Sequence, residues 1–547
     1  VITDARGTSI PERPAIADDF QPVRVDLPDG HVFLEGDALL DAVDASGGKV
    51  FIGLKSPSAA RTRDSGIRPG LSRDEALRFR SELEAAGVTI VRTYRYTPTV
   101  VANVEREDVD GLLRLPYVDR IEPVRSAQPM SPRGDVTTPL APFHMYPAQD
   151  TSWGARKVRA PQVWSMSEGG NAKIIMLDFG VDEDHFLSTQ GDINALTFSD
   201  CMYVAPFFSS CWDDDTAVSD GHGSHVFGIA AAHDNSNGWV GIAPDVEMVS
   251  IRACDSNTST CGEDAIIAGL EWAVLNYESR QIINMSFGKS TGNIDIGALV
   301  TGLHAMGSLV VAAAGDTPAY SSVTYPARWT NAIAVSGTLD NDAFASTYSC
   351  TWLGGTKTVG SVQGSQVELS APFWATSAWS HLRYSKDCGT SASAPAVSAV
   401  AALIWTKWPN YSNNWVRTRL RSTSVDLGSP GKDNQFGYGR VDAYNGLFDF
   451  SSVVAGPSSI ISSGNKTWNA ATSPVNGGNG SSTYKWEKSS NGWTWSTVGT
   501  SSSYSQYVGP STSDFYLRVT ITSAGFTRIS PNHFVEYEEP CDPWCQL

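Results

Sequence analysis

The middle of the chain repeats one alternation. Apolar runs stand at 174–177, 246–251, 282–286 and 309–314, and between them 263–277 and 292–306 carry apolar residues at helical spacing. Short runs rich in Ile, Val and Met fit strands buried on both faces, and 263–277 reads as an amphipathic helix. Strand, helix and strand in succession predict a parallel sheet with helices on both faces. The fold class is therefore α/β over residues 149–448, and in such sheets ligands bind at the carboxyl ends of the strands.

The pattern changes on both flanks. Residues 47–130 read as a compact α+β unit: strand 50–54, helix 72–86, strands 88–91 and 99–104, short helix 106–115 and strand 118–123. Residues 1–46, with much acid, proline and glycine, read as an arm, and 131–148 as an exposed connector. Beyond 455 the chain turns to Ser, Gly, Thr and aromatics. Alternation at 483–487 and 515–521 predicts an all-β, immunoglobulin-like sandwich over 455–547 with Trp486 in its core. Trp493 and Trp495 are read as cross-strand packing rather than ligand contacts.

Composition narrows the class. At 547 residues and 41% hydrophobic there is room for several cores, and no apolar run is long enough to span a bilayer. A net charge of -18 argues against nucleic acid and anionic membrane as partners and suits an exported protein. Eight cysteines fall in near-neighbour pairs, 201 and 211, 254 and 261, 350 and 388, 541 and 545. They suggest disulfides and an oxidising compartment without fixing which cysteine joins which.

Three motifs carry candidate chemistry. Asp178 closes an apolar run just before Gly180, and His222 stands between Gly221 and Gly223 at the start of a small-residue helix. Ser391 lies in Gly-Thr-Ser-Ala-Ser-Ala-Pro, opening an Ala-rich helix with Pro395 expected in its first turn. A serine at a helix start is usually only a cap. Here the free N–H groups and helix dipole would also stabilise a negative charge forming beside it. Together, in the order Asp, His, Ser, the three motifs resemble those of the subtilisin family of serine proteases (subtilases) over about residues 145–445.

The resemblance implies that Ser391 attacks a peptide carbonyl, His222 takes and returns the proton and Asp178 orients the imidazole. It implies a secreted endopeptidase acting on protein or peptide substrates, needing no cofactor for chemistry and made as a self-processed zymogen. The 47–130 unit resembles the family's propeptide, an intramolecular inhibitor whose tail occupies the substrate cleft, with Met130–Ser131 the expected self-cleavage bond. A rival from another class is a catalytically silent, subtilase-like binding protein working through its C-terminal sandwich.

The family carries asparagine where this chain has Asp316, and aspartate donates to an oxyanion only when protonated, which predicts activity favoured by mildly acid conditions. By resemblance, substrate lies extended along Ser286, Phe287 and Gly288, and the first pocket is completed by Ala313 to Gly315 with Thr324 near its floor. An apolar or medium-sized side chain is expected there. Residues 233–239 resemble a calcium loop, with Asn235 giving a side-chain oxygen, His233, Asn237 and Trp239 giving carbonyls, and Gln149 the upstream partner. Leu187 stands where the family has a charged ligand, so a structural calcium is balanced against an ordinary turn. His225 has no acid between it and His222 in the zincin pattern and is expected to be structural.

Overall fold

The apolar runs line up as neighbouring parallel strands in the computed structural model, which describes residues 25–26, 32–55, 73–94, 96–129, 150–181, 196–200, 221–235, 238–255, 258–352, 355–379, 383–447, 451–460, 462–473, 482–492, 494–523, 526–530 and 532–537. Among the described residues the sheet has seven strands, all parallel. Their order is Leu196–Asp200, Glu247–Arg252, Lys173–Asp178, Gln281–Met285, Leu309–Ala313, Ala332–Thr338 and Val367–Pro372. The chain leaves Lys173–Asp178 for the edge and returns to pair on both its sides. Its carboxyl end is therefore a switch point, where a crevice opens.

Helices His222–Ala231 and Thr390–Lys407 pack into one apolar layer, and Glu263–Leu275 and Ile294–Met306 into the other. The helix Glu263–Leu275 is not amphipathic as expected, since every residue from Glu263 to Val274 is buried. Its outer face is covered by a four-stranded antiparallel sheet of Thr89–Thr93, Thr99–Asn103, Lys49–Leu54 and Val118–Pro123, whose Phe51, Tyr94 and Val101 join the same apolar cluster. Ion pairs rim this contact, Lys49 Nζ to Asp264 Oδ2 at 2.6 Å and Arg120 Nη2 to Asp295 Oδ2 at 2.9 Å.

The outer side of the antiparallel sheet has its own core, formed with Phe79, Leu83, Val109 and Leu112. Leu39 and Val43 of the helix Gly36–Ala45 belong to it, so this unit begins before residue 47, where the sequence reading placed its boundary. The signal was present: apolar residues at 39, 40 and 43 occupy one helix face behind a run too polar to attract notice.

The end of the unit crosses to the large sheet's rim. The strand Ser126–Pro129 runs antiparallel between Thr260–Gly262 and Phe287–Gly288, with Ala127 opposite Cys261, Ser126 opposite Gly262, Gln128 opposite Gly288 and Pro129 opposite Phe287. At the far end of the chain, strands Ser451–Ala455, Gly464–Ser473 and Ser503–Val508 share a core with a second sheet that includes Thr483–Ser489, Phe515–Ser523 and His533–Tyr537. Trp486 and a second tryptophan, Trp468, are wholly buried in it. Trp495 lies under the Arg518 guanidinium at 4.1 Å, and Trp493 is outside the described residues. Disulfides join Cys254 to Cys261 and Cys350 to Cys388; the other four cysteines are outside the described residues. No described helix is long and apolar enough to cross a membrane.

Candidate active site

Asp178 is the last residue of its strand, and its Oδ1 accepts both the Phe179 N–H at 2.9 Å and His222 Nδ1–H at 2.7 Å. His222 opens its helix directly after Gly221, whose φ of +88° suits glycine. The two motif glycines are required by contact as well. A Cβ on Gly221 would lie 2.2 Å from the Trp379 ring, and one on Gly223 1.8 Å from the Gly180 carbonyl oxygen. The helix start can thus press against the strand end, and Phe179 meets the imidazole edge-on at 5.7 Å.

Ser391 is the second residue of the helix Thr390–Lys407, which puts Pro395 in the second turn rather than the first. The proline has no N–H to give to the carbonyl four residues back, that of Ser391. Ser286 Oγ supplies the missing donor at 3.1 Å, and Ser391 Oγ in turn donates to the Ser286 carbonyl at 3.1 Å. Behind this pair, Ser398 Oγ donates to Asn284 Oδ1 and Asn284 Nδ2 to Ser286 Oγ, at 2.9 and 3.1 Å. A buried polar network therefore fixes the serine against the neighbouring strand. Asn284, missed in the sequence reading, was visible as a polar residue between apolar neighbours, Ile283 and Met285.

Asp316 is 2% exposed, and its Oδ1 accepts the Thr390 N–H at 3.0 Å. Burial pushes its carboxyl up from 3.8 to about 7, against the pull of the Thr390 hydrogen bonds. His225 is buried, sits edge-on to Trp379, and donates Nε2–H to the Ala375 carbonyl at 3.1 Å. Burial drives its pKa down to about 4, so it stays neutral and structural at neutral pH.

Ser286, Phe287, Ala313 and Thr324 are buried, Phe287 opposite Pro129, and Gly315, at φ +119°, gives its N–H to Thr390 Oγ1 at 3.2 Å. Thr324 Oγ1 donates to the Ala314 carbonyl at 3.1 Å, and Tyr320 reaches across to the Gly288 carbonyl at 2.7 Å. That tyrosine ties the segment after Gly315 to Gly288, a contact no local motif announced.

Of the proposed calcium ligands, Gln149 and Asn237 are outside the described residues, as is Leu187. His233 Nδ1–H donates to the Pro244 carbonyl at 3.1 Å, and Trp239 begins a short strand paired with Asp150. The Asp150 carboxylate is engaged by Arg156 and the Thr151 N–H, at 3.1 and 2.7 Å. Of the expected donors, His233, Asn235 and Trp239 are the ones among the described residues.

The subtilase family pattern matches residues 169–439. The chain is 30% identical over 372 residues to a thermostable alkaline protease of Halalkalibacterium halodurans, covering 68% of this chain and 88% of that protein. It is 29% identical over 383 residues to subtilisin E of Bacillus subtilis, covering 69% and 87%. A match of 29% over 360 residues to the minor extracellular protease Epr of Bacillus subtilis covers 64% of this chain and spans half, 50%, of that protein's length. The chain belongs to the subtilase family, as a subtilisin-like serine endopeptidase.

Proposed function

We propose that the protein is a secreted endopeptidase made as a self-cleaving zymogen, with Asp178, His222 and Ser391 as its triad. The observation that carries the chemistry is the 2.7 Å bond from His222 Nδ1 to Asp178 Oδ1 at the sheet's carboxyl edge. It directs the opposite ring nitrogen away from the carboxylate, as a general base requires. The Ser391 hydroxyl, resting on Ser286, turns to His222 Nε2, gives up its proton and attacks the carbonyl. The oxyanion is met by the Ser391 N–H at the helix start and by protonated Asp316, with Oδ1 still accepting from Thr390. His222 returns the proton to the leaving amine, and water releases the acyl group from Ser391.

The unit up to residue 130, with its added helix Gly36–Ala45, is proposed as the inhibitory propeptide, 131–148 as connector, 149–448 as catalytic domain and 455–547 as an immunoglobulin-like appendage. The strand Ser126–Pro129 supports this, because it lies as a substrate would. Its register runs toward Ser286, the rest point of the nucleophile, so the bond after the next residue, Met130–Ser131, is the proposed cut. Secretion is supported by two disulfides and by an extracellular relative. Casein hydrolysis that vanishes with Ser391→Ala and with a serine-directed phosphonate tests the reading; activity surviving both would refute it.

A further inference from the structure

We infer that the cleft reaches to the sixth residue before the cut, and that Glu263 grips substrate there through the peptide backbone alone. This rests on the proposed reading of Ser126–Pro129 as a substrate-like strand cut after residue 130. Regular pairing ends where Ser126 faces Gly262, yet the hydrogen bonding continues one residue further. Arg125 N–H donates to Glu263 Oε2 at 3.2 Å, and the Arg125 carbonyl accepts the Glu263 N–H at 3.0 Å. One residue of the enzyme thus takes both backbone groups of one residue of the peptide.

The carboxylate is built to stay in place. Glu263 is 2% exposed, and its other oxygen, Oε1, is held by the ammonium of Lys289, itself 9% exposed. Lys289 follows Phe287–Gly288, so this ion pair ties together the two strands that flank the peptide. A carboxylate makes a stronger acceptor for an amide N–H than a neutral group does, and the Lys289 contact holds this one in place. The Cys254–Cys261 disulfide clamps the strand on which Cys261 faces Ala127, two residues before Glu263, so the grip is preorganised. Recognition through main chain asks for length, not for a side chain. The favoured substrates are extended segments of at least six residues on the amino side of the cut, as in unfolded protein.

The test uses self-processed enzyme and three acetylated peptide p-nitroanilides: Ala-Gln-Pro-Met, Arg-Ser-Ala-Gln-Pro-Met, and the latter N-methylated on the arginine nitrogen. The hexapeptide should exceed the tetrapeptide in kcat/KM by on the order of 10- to 100-fold, and N-methylation should remove roughly tenfold. Glu263→Gln should shrink the hexapeptide advantage and make N-methylation nearly silent. A methylated hexapeptide cleaved as fast as its parent overturns the inference while leaving the protease intact. If none of the three is cleaved, the underlying reading of the tail falls, and the inference with it.

Discussion

Replacing Asp316 with asparagine should remove the alkaline limb of the pH–rate profile. With a carboxyl titrating at about 7, roughly nine-tenths of the groups are protonated at pH ~6 and about one-hundredth at pH ~9. Loss of one oxyanion donor costs roughly 100- to 1000-fold in turnover, so wild-type kcat should fall about 100-fold between those conditions. Asparagine keeps the Oδ1 acceptor for Thr390 and donates at every pH, so the variant should match wild type near pH ~6 and exceed it about 100-fold near pH ~9. Stability moves the same way. A carboxyl whose folded value is raised above 3.8 stabilises the fold fully below that pH, and the contribution is lost as pH climbs toward about 7. The shift of about three units corresponds to roughly 4 kcal/mol, which Asp316→Asn would not forfeit at alkaline pH. Stopped-flow hydrolysis and urea midpoints across pH test both. Wild-type kcat holding level into alkaline solution, with the variant no faster, would refute the reasoning.

Gly223→Ala should abolish self-cleavage, because its Cβ would meet the Gly180 carbonyl at 1.8 Å and push His222 off Asp178; gel analysis of the purified chain reads this. Ser286→Ala leaves the Ser391 carbonyl without its donor behind Pro395 and should cost about 1–3 kcal/mol, read in denaturant midpoints, together with a loss in kcat. Arg120→Ala strips Asp295 of a buried partner and should weaken the hold of the N-terminal unit by on the order of 3 kcal/mol, seen as a shorter lag before casein hydrolysis begins.

The sequence made the site legible where glycine and chain order constrain it. Gly221 and Gly223 mark the helix start that brings His222 to within 2.7 Å of Asp178, and the alternation of apolar runs announced the sheet that holds both. Asp316 stood out as a residue out of place, and it is buried where the two-residue strand Asp316–Thr317 pairs with Gly360 and Ser361. What stayed hidden depends on contacts distant in sequence. Trp379 packs against Gly221 from more than a hundred residues away, and Ser286 completes a hydrogen bond that Pro395 cannot make. The helix Glu263–Leu275 seemed amphipathic because its outer face needs the N-terminal sheet to be buried.

The central claim, that this triad cuts its own chain at the end of the strand lying in the cleft, is tested most directly by N-terminal sequencing and intact mass of the wild-type and Ser391→Ala proteins. The account predicts a wild-type catalytic fragment beginning at Ser131 and a Ser391→Ala chain that remains whole. A wild-type chain that stays joined across residues 130 and 131, or a Ser391→Ala chain cleaved at the same bond, would contradict it.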